Sequence, residues 1–296
     1  MSRWGWPGTS CSVASARALS SAPPEALFAS GVVAAAHEAD VLVANLDCCI
    51  SARGSRWPDP DMPFFFRAPP SAVEALALLG VDCVTLANNH ALDFGAEALL
   101  DTLGHLEAAG IAWVGAGVDV VHARAHVVLE WDGFRLGVIG LTDHPPEYVA
   151  AGDRSRVTYA NLDAGLPEWL RAAVRDVEAD AVLVTPHWGP NIAAGLRTRT
   201  RRAAGSLLEA GASLVAGHSA HVFHGVERRV IDDLGDFVDD YATHPALRND
   251  LGLLFLVTFE HHRRHGQGRV EPAKMSAATP FGRAPHPTPP RRCASP

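Results

Sequence analysis

Four short stretches of the chain carry side chains able to hold a cation or move a proton: Asn45 with Asp47, Asn89 with His90, His187 alone, and His218 with His221. Their groups are imidazole, carboxylate and amide oxygen without thiolate. That donor set suits Zn, Mn, Fe or a similar divalent ion in a reactive site more than a structural zinc site. His218 and His221 stand three residues apart in a loop opened by Gly217, which lets both rings turn toward one centre. The other eleven of the fifteen histidines, His144 and His224 among them, show no comparable placement.

What makes four separate stretches one candidate site is the run that precedes each. Asp40-Val-Leu-Val-Ala44, Val81 to Leu86, Asp180-Ala-Val-Leu-Val-Thr185 and Ser213-Leu-Val-Ala216 are short apolar segments of β type, and each ends directly before its polar group. In open α/β sheets ligands bind beyond the carboxyl ends of the strands. A parallel sheet built from these runs brings the four loops to one edge. Helical patterns lie between them at Ala26 to Glu38, Val73 to Leu79, Ala96 to Ala109, Leu166 to Val177 and Thr198 to Ala210, several stopped by a glycine. Asp132-Gly133 between Val127–Trp131 and Phe134–Leu141 is a hairpin signal, so the sheets are expected to be mixed. Gly115-Ala-Gly117 lacks phosphate-loop spacing and reads as a tight turn. The run Phe64-Phe65-Phe66 reads as core.

Composition narrows the function classes. The chain has 296 residues, 48% of them apolar, enough to bury one large α/β domain or two smaller ones. A formal net charge of -8 gives no general attraction to nucleic acid or anionic lipid. Five cysteines without Cys-x-x-Cys spacing suggest neither a disulfide framework nor a thiolate zinc site. No apolar run reaches membrane-spanning length and no signal peptide is evident, so a cytoplasmic location is expected. Residues 1–24 and 261–296, rich in Pro, Ser, Gly or basic residues without hydrophobic period, are expected to lie irregularly outside a domain spanning 25–260.

The succession Ala44-Asn-Leu-Asp47, Leu86-Ala-Asn-Asn-His-Ala-Leu-Asp-Phe-Gly95, Val114-Gly-Ala-Gly117, His187-Trp-Gly189 and Gly217-His-Ser-Ala-His221 resembles the CapA family of capsule and poly-γ-glutamate synthesis proteins, within the calcineurin-like metallophosphoesterases. The resemblance implies a four-layer αββα sandwich, an α/β fold with mixed sheets, and one or two divalent ions at the strand ends. It implies Asp47, Asn89, His187, His218 and His221 as metal ligands, His90 as the catalytic acid, and Asn45 and Asn88 as substrate contacts. Asp233-Leu-Gly-Asp-Phe237 resembles the family's Ser-Leu-Gly-Asn-Phe and is expected near the site. One departure stands out: the family begins with a strand ending in Gly-Asp, and nothing before Asp40 reads that way. The implied function is a metal-dependent phosphoesterase or hydrolase acting on a small-molecule or polymeric substrate related to phosphoesters or polyglutamate. The alternative is a non-catalytic assembly or binding protein with a degenerate metal site.

Overall fold

The computed structural model describes residues 8–13, 23–59, 62, 64–150, 152, 154–195, 198–227, 229–237, 244–264 and 267–282, with the backbone alone for 8–13, 260–264 and 267–282. Two six-stranded sheets form its centre. In the first, β1 (Gly8–Val13), β2 (Val41–Leu46), β5 (Cys83–Thr85) and β6 (Ala112–Val114) run parallel, β15 (Leu251–Arg264) adds antiparallel to β1, and β16 (Gln267–Gly282) adds antiparallel to β15. In the second, β9 (Phe134–Thr142), β11 (Ala181–His187), β12 (Leu214–Ala216) and β14 (Val230–Ile231) run parallel, flanked by antiparallel β8 (Val127–Trp131) and β13 (Val226–Glu227). Two short pairs, β3 (Cys49–Ile50) with β4 (Arg67–Ala68) and β7 (Ala116–Gly117) with β10 (Arg156–Val157), brace the loops.

Strand alternation sorts the apolar side chains into layers. Val41 and Val43 of β2 meet Leu136, Val138 and Leu183 of the second sheet, and this inner face is the seam between sheets. Leu42, Ala44 and Leu46 point the other way, onto α2 (Ser30–Ala36), α3 (Val73–Leu79) and α4 (Gly95–Ala108), with α1 (Pro24–Leu27) before them. Past α5 (Val120–Arg124), Ile139, Leu141, Val182 and Val184 pack outward against Leu170 and Val174 of α6 (Glu168–Arg175) and Leu207 of α7 (Thr198–Ala210). The order helices, sheet, sheet, helices is the expected αββα sandwich. Among the described residues no helix is long and apolar enough to cross a membrane.

Several expectations are corrected. The helix read over Ala26 to Glu38 is two helices, because Phe28 and Ala29 take extended backbone between them. The three phenylalanines are not core: Phe64 is 52% exposed, and Phe65 and Phe66 are half-buried against the margins of the apolar clusters. Strands β1 and β16 fall inside the stretches read as irregular, since backbone pairing to β2 and β15 supplies the order that side-chain periodicity did not announce. The remainder of those stretches, 1–7, 14–22, 265–266 and 283–296, lies outside the described residues.

Candidate metal and hydrolytic site

All the implied site residues except Asn45 and His187, which are themselves in strands, sit in loops that follow strand ends. β2 runs into Asp47, β5 into Asn88-Asn89-His90, β11 ends on His187, and β12 leads into His218 and His221. His187 and His218 form a parallel bridge, so two of these ends touch directly. Asp47, His90, His187, His218 and His221 are each 5% exposed or less, while Asn89 is half-buried.

One half of the site is built on the first sheet. Asn88 donates from Nδ2 to Asn45 Oδ1 at 3.0 Å and to the Leu46 carbonyl at 2.8 Å, and its Oδ1 accepts the His90 N–H at 3.1 Å. Its amide is thus spent tying the β5 loop to the end of β2. Asn45 and Asn88, expected to contact substrate, are 2% and 0% exposed, and their side chains are bonded to each other. His90 Nδ1 meets Asp93 Oδ2 at 2.9 Å, and the same oxygen accepts the Phe66 N–H. The Phe66 ring lies 4.4 Å from the imidazole, so Phe66 packs on His90 at the margin of the core.

The other half belongs to the second sheet. His187 Nδ1 and His218 Nδ1 stand 2.9 Å apart. Burial pushes the His187 imidazole well below its ordinary range and His218 down to about 3, so both rings are neutral. A contact between two Nδ1 atoms holds one proton, which leaves a lone pair on Nε2 of the donating ring. His221 Nδ1 lies 3.1 Å from each Asp236 oxygen. Asp233 braces the loop between them, accepting from the Ala220 N–H and the Gly235 N–H at 2.9 Å each. Burial raises that carboxyl to about 7.

Asp47 Oδ1, His187 Nε2 and His218 Nε2 are buried without a hydrogen-bond partner. Burying a polar atom unpaired costs about 1–3 kcal/mol, and a ligand would remove that cost. Burial raises the Asp47 carboxyl, partly offset by His90 and His221, as expected of a carboxylate set among imidazoles. In kind, these atoms fit a divalent cation. In position they are not closed around one: among the described residues no three His, Cys, Asp or Glu groups stand where they could hold a metal ion.

Sequence reasoning missed His144 and Asp143. They follow β9, whose pairing as a hairpin with β8 concealed that it also runs parallel to β11, with Thr142 opposite His187. The His144 ring lies 4.9 Å from that of His187. A polar group directly after an apolar run was the available signal.

Residues 14–241 match the family described as Bacterial capsule synthesis protein PGA_cap. The chain belongs to the PGA_cap family. Its relatives include the "Probable polyglutamine synthesis accessory protein" of Mycobacterium tuberculosis H37Rv, 32% identical over 233 residues, covering 73% of this chain and 61% of the relative. Another is the "PGA biosynthesis protein CapA" of Bacillus subtilis 168, 27% identical over 228 residues, covering 74% of this chain and 58% of the relative. This PGA_cap chain therefore spans about 60% of the length of the curated relatives it matches. Among solved structures, one described as a novel phosphatase from Mycoplasma pneumoniae superposes with a TM-score of 0.56 at 13% identity, covering 95% of each chain. A hypothetical protein from Thermus thermophilus superposes with a TM-score of 0.51 at 16% identity, covering 93% of this chain and 100% of that one. At such identities the likeness establishes the fold, and the fold of this PGA_cap member is that of the calcineurin-like metallophosphoesterases.

Proposed function

We propose that the chain is a metal-dependent hydrolase acting on phosphoester-type bonds, in the capsule or polyglutamate setting that the names of its relatives suggest. The observation that carries this reading is three buried donor atoms without partners, on Asp47, His187 and His218, at strand ends within electrostatic reach of one another's neighbours and of the His90–Asp93 pair. Asp47, Asn89, His187, His218 and His221 would hold one or two divalent ions such as Mn, Fe or Zn. When bound, such an ion supplies Lewis acidity toward a phosphoryl oxygen and lowers the pKa of water to near neutral.

The chain's own groups do the rest. Asp93 accepts from His90 Nδ1 and fixes the ring, which leaves Nε2 to exchange a proton with the leaving oxygen. Asn88 fixes the height of that ring above β2 through the His90 N–H. Phe66 covers one side of the imidazole and keeps water from that face. His187 and His218, held neutral by burial, present lone pairs rather than charge.

A second reading is a non-catalytic capsule or polyglutamate assembly protein. It is favoured by the open arrangement of the donors and by β1, whose residues Gly8-Thr-Ser-Cys-Ser-Val13 bring no carboxylate to the sheet centre. One experiment separates them. Protein loaded with Mn(II) is assayed on an aryl phosphate beside His187→Ala; hydrolysis by the wild type and its loss in the variant support the enzyme. Equal rates in both, or no retained metal, would favour the assembly role.

A further inference from the structure

The end of β9 opens onto the same crevice as the other site strands, and the two residues there are Asp143 and His144. Their backbone is fixed on several sides. The Asp143 N–H donates to the His187 carbonyl at 3.0 Å, and the His144 N–H donates to Thr142 Oγ1 at 3.2 Å. The Thr142 hydroxyl in turn donates to the His144 carbonyl at 2.5 Å. The Asp143 side chain spans the gap to the next strand end: Oδ2 accepts the Gly189 N–H at 3.4 Å and Oδ1 lies 2.5 Å from His144 Nδ1.

That last contact decides what the imidazole offers. With Nδ1–H donated to a carboxylate, a neutral ring carries its lone pair on Nε2. Histidines that ligate metals commonly show this arrangement, the carboxylate fixing the tautomer and making the other nitrogen a better ligand. The ring lies 4.9 Å from His187 at 44°, and His144 is close enough to act electrostatically on Asp47, His187 and His218. Its side chain is 31% exposed, whereas those of His90 and His221 are 5% exposed. It is therefore reachable from solvent while the Asp143 carboxylate holds its Nδ1. Three buried donor atoms wait without partners on Asp47, His187 and His218. A catalytic divalent site of this ligand type uses about three protein donors and one open position, and only one of the two His Nε2 atoms can present a lone pair while their Nδ1 contact stands.

We propose that His144 is a metal ligand of this site, binding through Nε2 with Asp143 as its carboxylate partner, and that a bound ion draws it together with the donors of Asp47, His187 and His218, which stand too open to hold the ion in this structure. The inference rests on the divalent-ion reading above. It assigns the ion to the crevice between β2, β9 and β11.

The test uses the full chain and Mn(II), read by calorimetric titration, elemental analysis after dialysis, and pulsed EPR of coordinated nitrogen. Wild type retains Mn(II). His144→Ala weakens binding at least about tenfold, with one fewer imidazole nitrogen coupled to the ion, and Asp143→Asn weakens it by about ten- to a hundredfold. His144→Asp, which returns a hard oxygen donor, recovers part of the loss. Thermal melts without metal verify that each variant folds; His144→Gln, which keeps a polar tip of similar reach, decides the matter if the alanine variant unfolds. Equal affinity and nitrogen count in wild type and His144 variants overturn the inference and leave the divalent-ion reading standing. A wild type that retains no Mn(II) overturns both.

Discussion

Asp93 is wholly buried, yet its Oδ2 serves two partners, the His90 ring and the Phe66 N–H. His90 is therefore positioned by a group that has no contact with solvent. His90→Asn is expected to lower kcat on an aryl phosphate by about 10²–10⁴-fold while Mn(II) stays bound, as steady-state kinetics beside elemental analysis would read. An unchanged kcat would end its role as proton donor. Asn88, in the same loop, has a different task. Asn88→Ala removes its bonds to Asn45 Oδ1, the Leu46 carbonyl and the His90 N–H, and a loss of about 1–3 kcal/mol in urea unfolding is expected. A higher KM at unchanged stability would return it to the substrate. The sequence could mark both residues as polar groups after a strand. It could not tell them apart, because the difference lies in which atoms across 43 positions of chain receive the amide.

At the level of elements, most of the sandwich was legible because its segments are short and sharply ended. The hairpin turn is an instance: Asp132 and Gly133 both take positive φ, 46° and 78°, as a two-residue turn between twisted strands requires. Gly115 shows what stayed hidden. It reads as a turn glycine, and its φ is 85°, but a Cβ there would also lie 2.5 Å from the Ala87 Cβ, directly before Asn88. The glycine thus lets β6 pass close beneath the loop that carries His90. Gly115→Ala is expected to cost about 1–3 kcal/mol and to lower activity with it. Gly133→Asn, with nothing within 4 Å, is expected to be tolerated. Equal urea midpoints for the two variants would remove the packing argument. Strands β1 and β16 were illegible for the opposite reason: their place is set by backbone pairing to β2 and β15, which leaves no periodic mark in the sequence.

For the whole molecule, burying titratable groups at the meeting of two sheets makes stability depend on pH in two opposing ways. His218, with a folded pKa near 3 against an ordinary value of 6.5, binds its proton more weakly in the folded state, and His187 behaves likewise. Their contribution is complete above about pH 6.5 and is lost as pH falls below it. Asp233 has the reverse sign. Its folded pKa, raised by burial from 3.8 to about 7, means that the folded state holds a proton the unfolded chain has released. That contribution is complete below about pH 4 and is lost as pH rises toward 7, at a slope of up to about 1.4 kcal/mol per pH unit. Since Asp233 braces the loop between His218 and His221 through the Ala220 N–H, its ionisation loads the part of the fold that carries the donors. Asp233→Asn removes the second trend and keeps the first. Urea unfolding of the metal-free protein from pH 4 to pH 7 is therefore expected to give a curve for the variant that rises more steeply with pH than the wild-type curve. Parallel curves over that range would mean that Asp233 is ionised in the folded protein throughout, and that the two backbone N–H groups outweigh its burial.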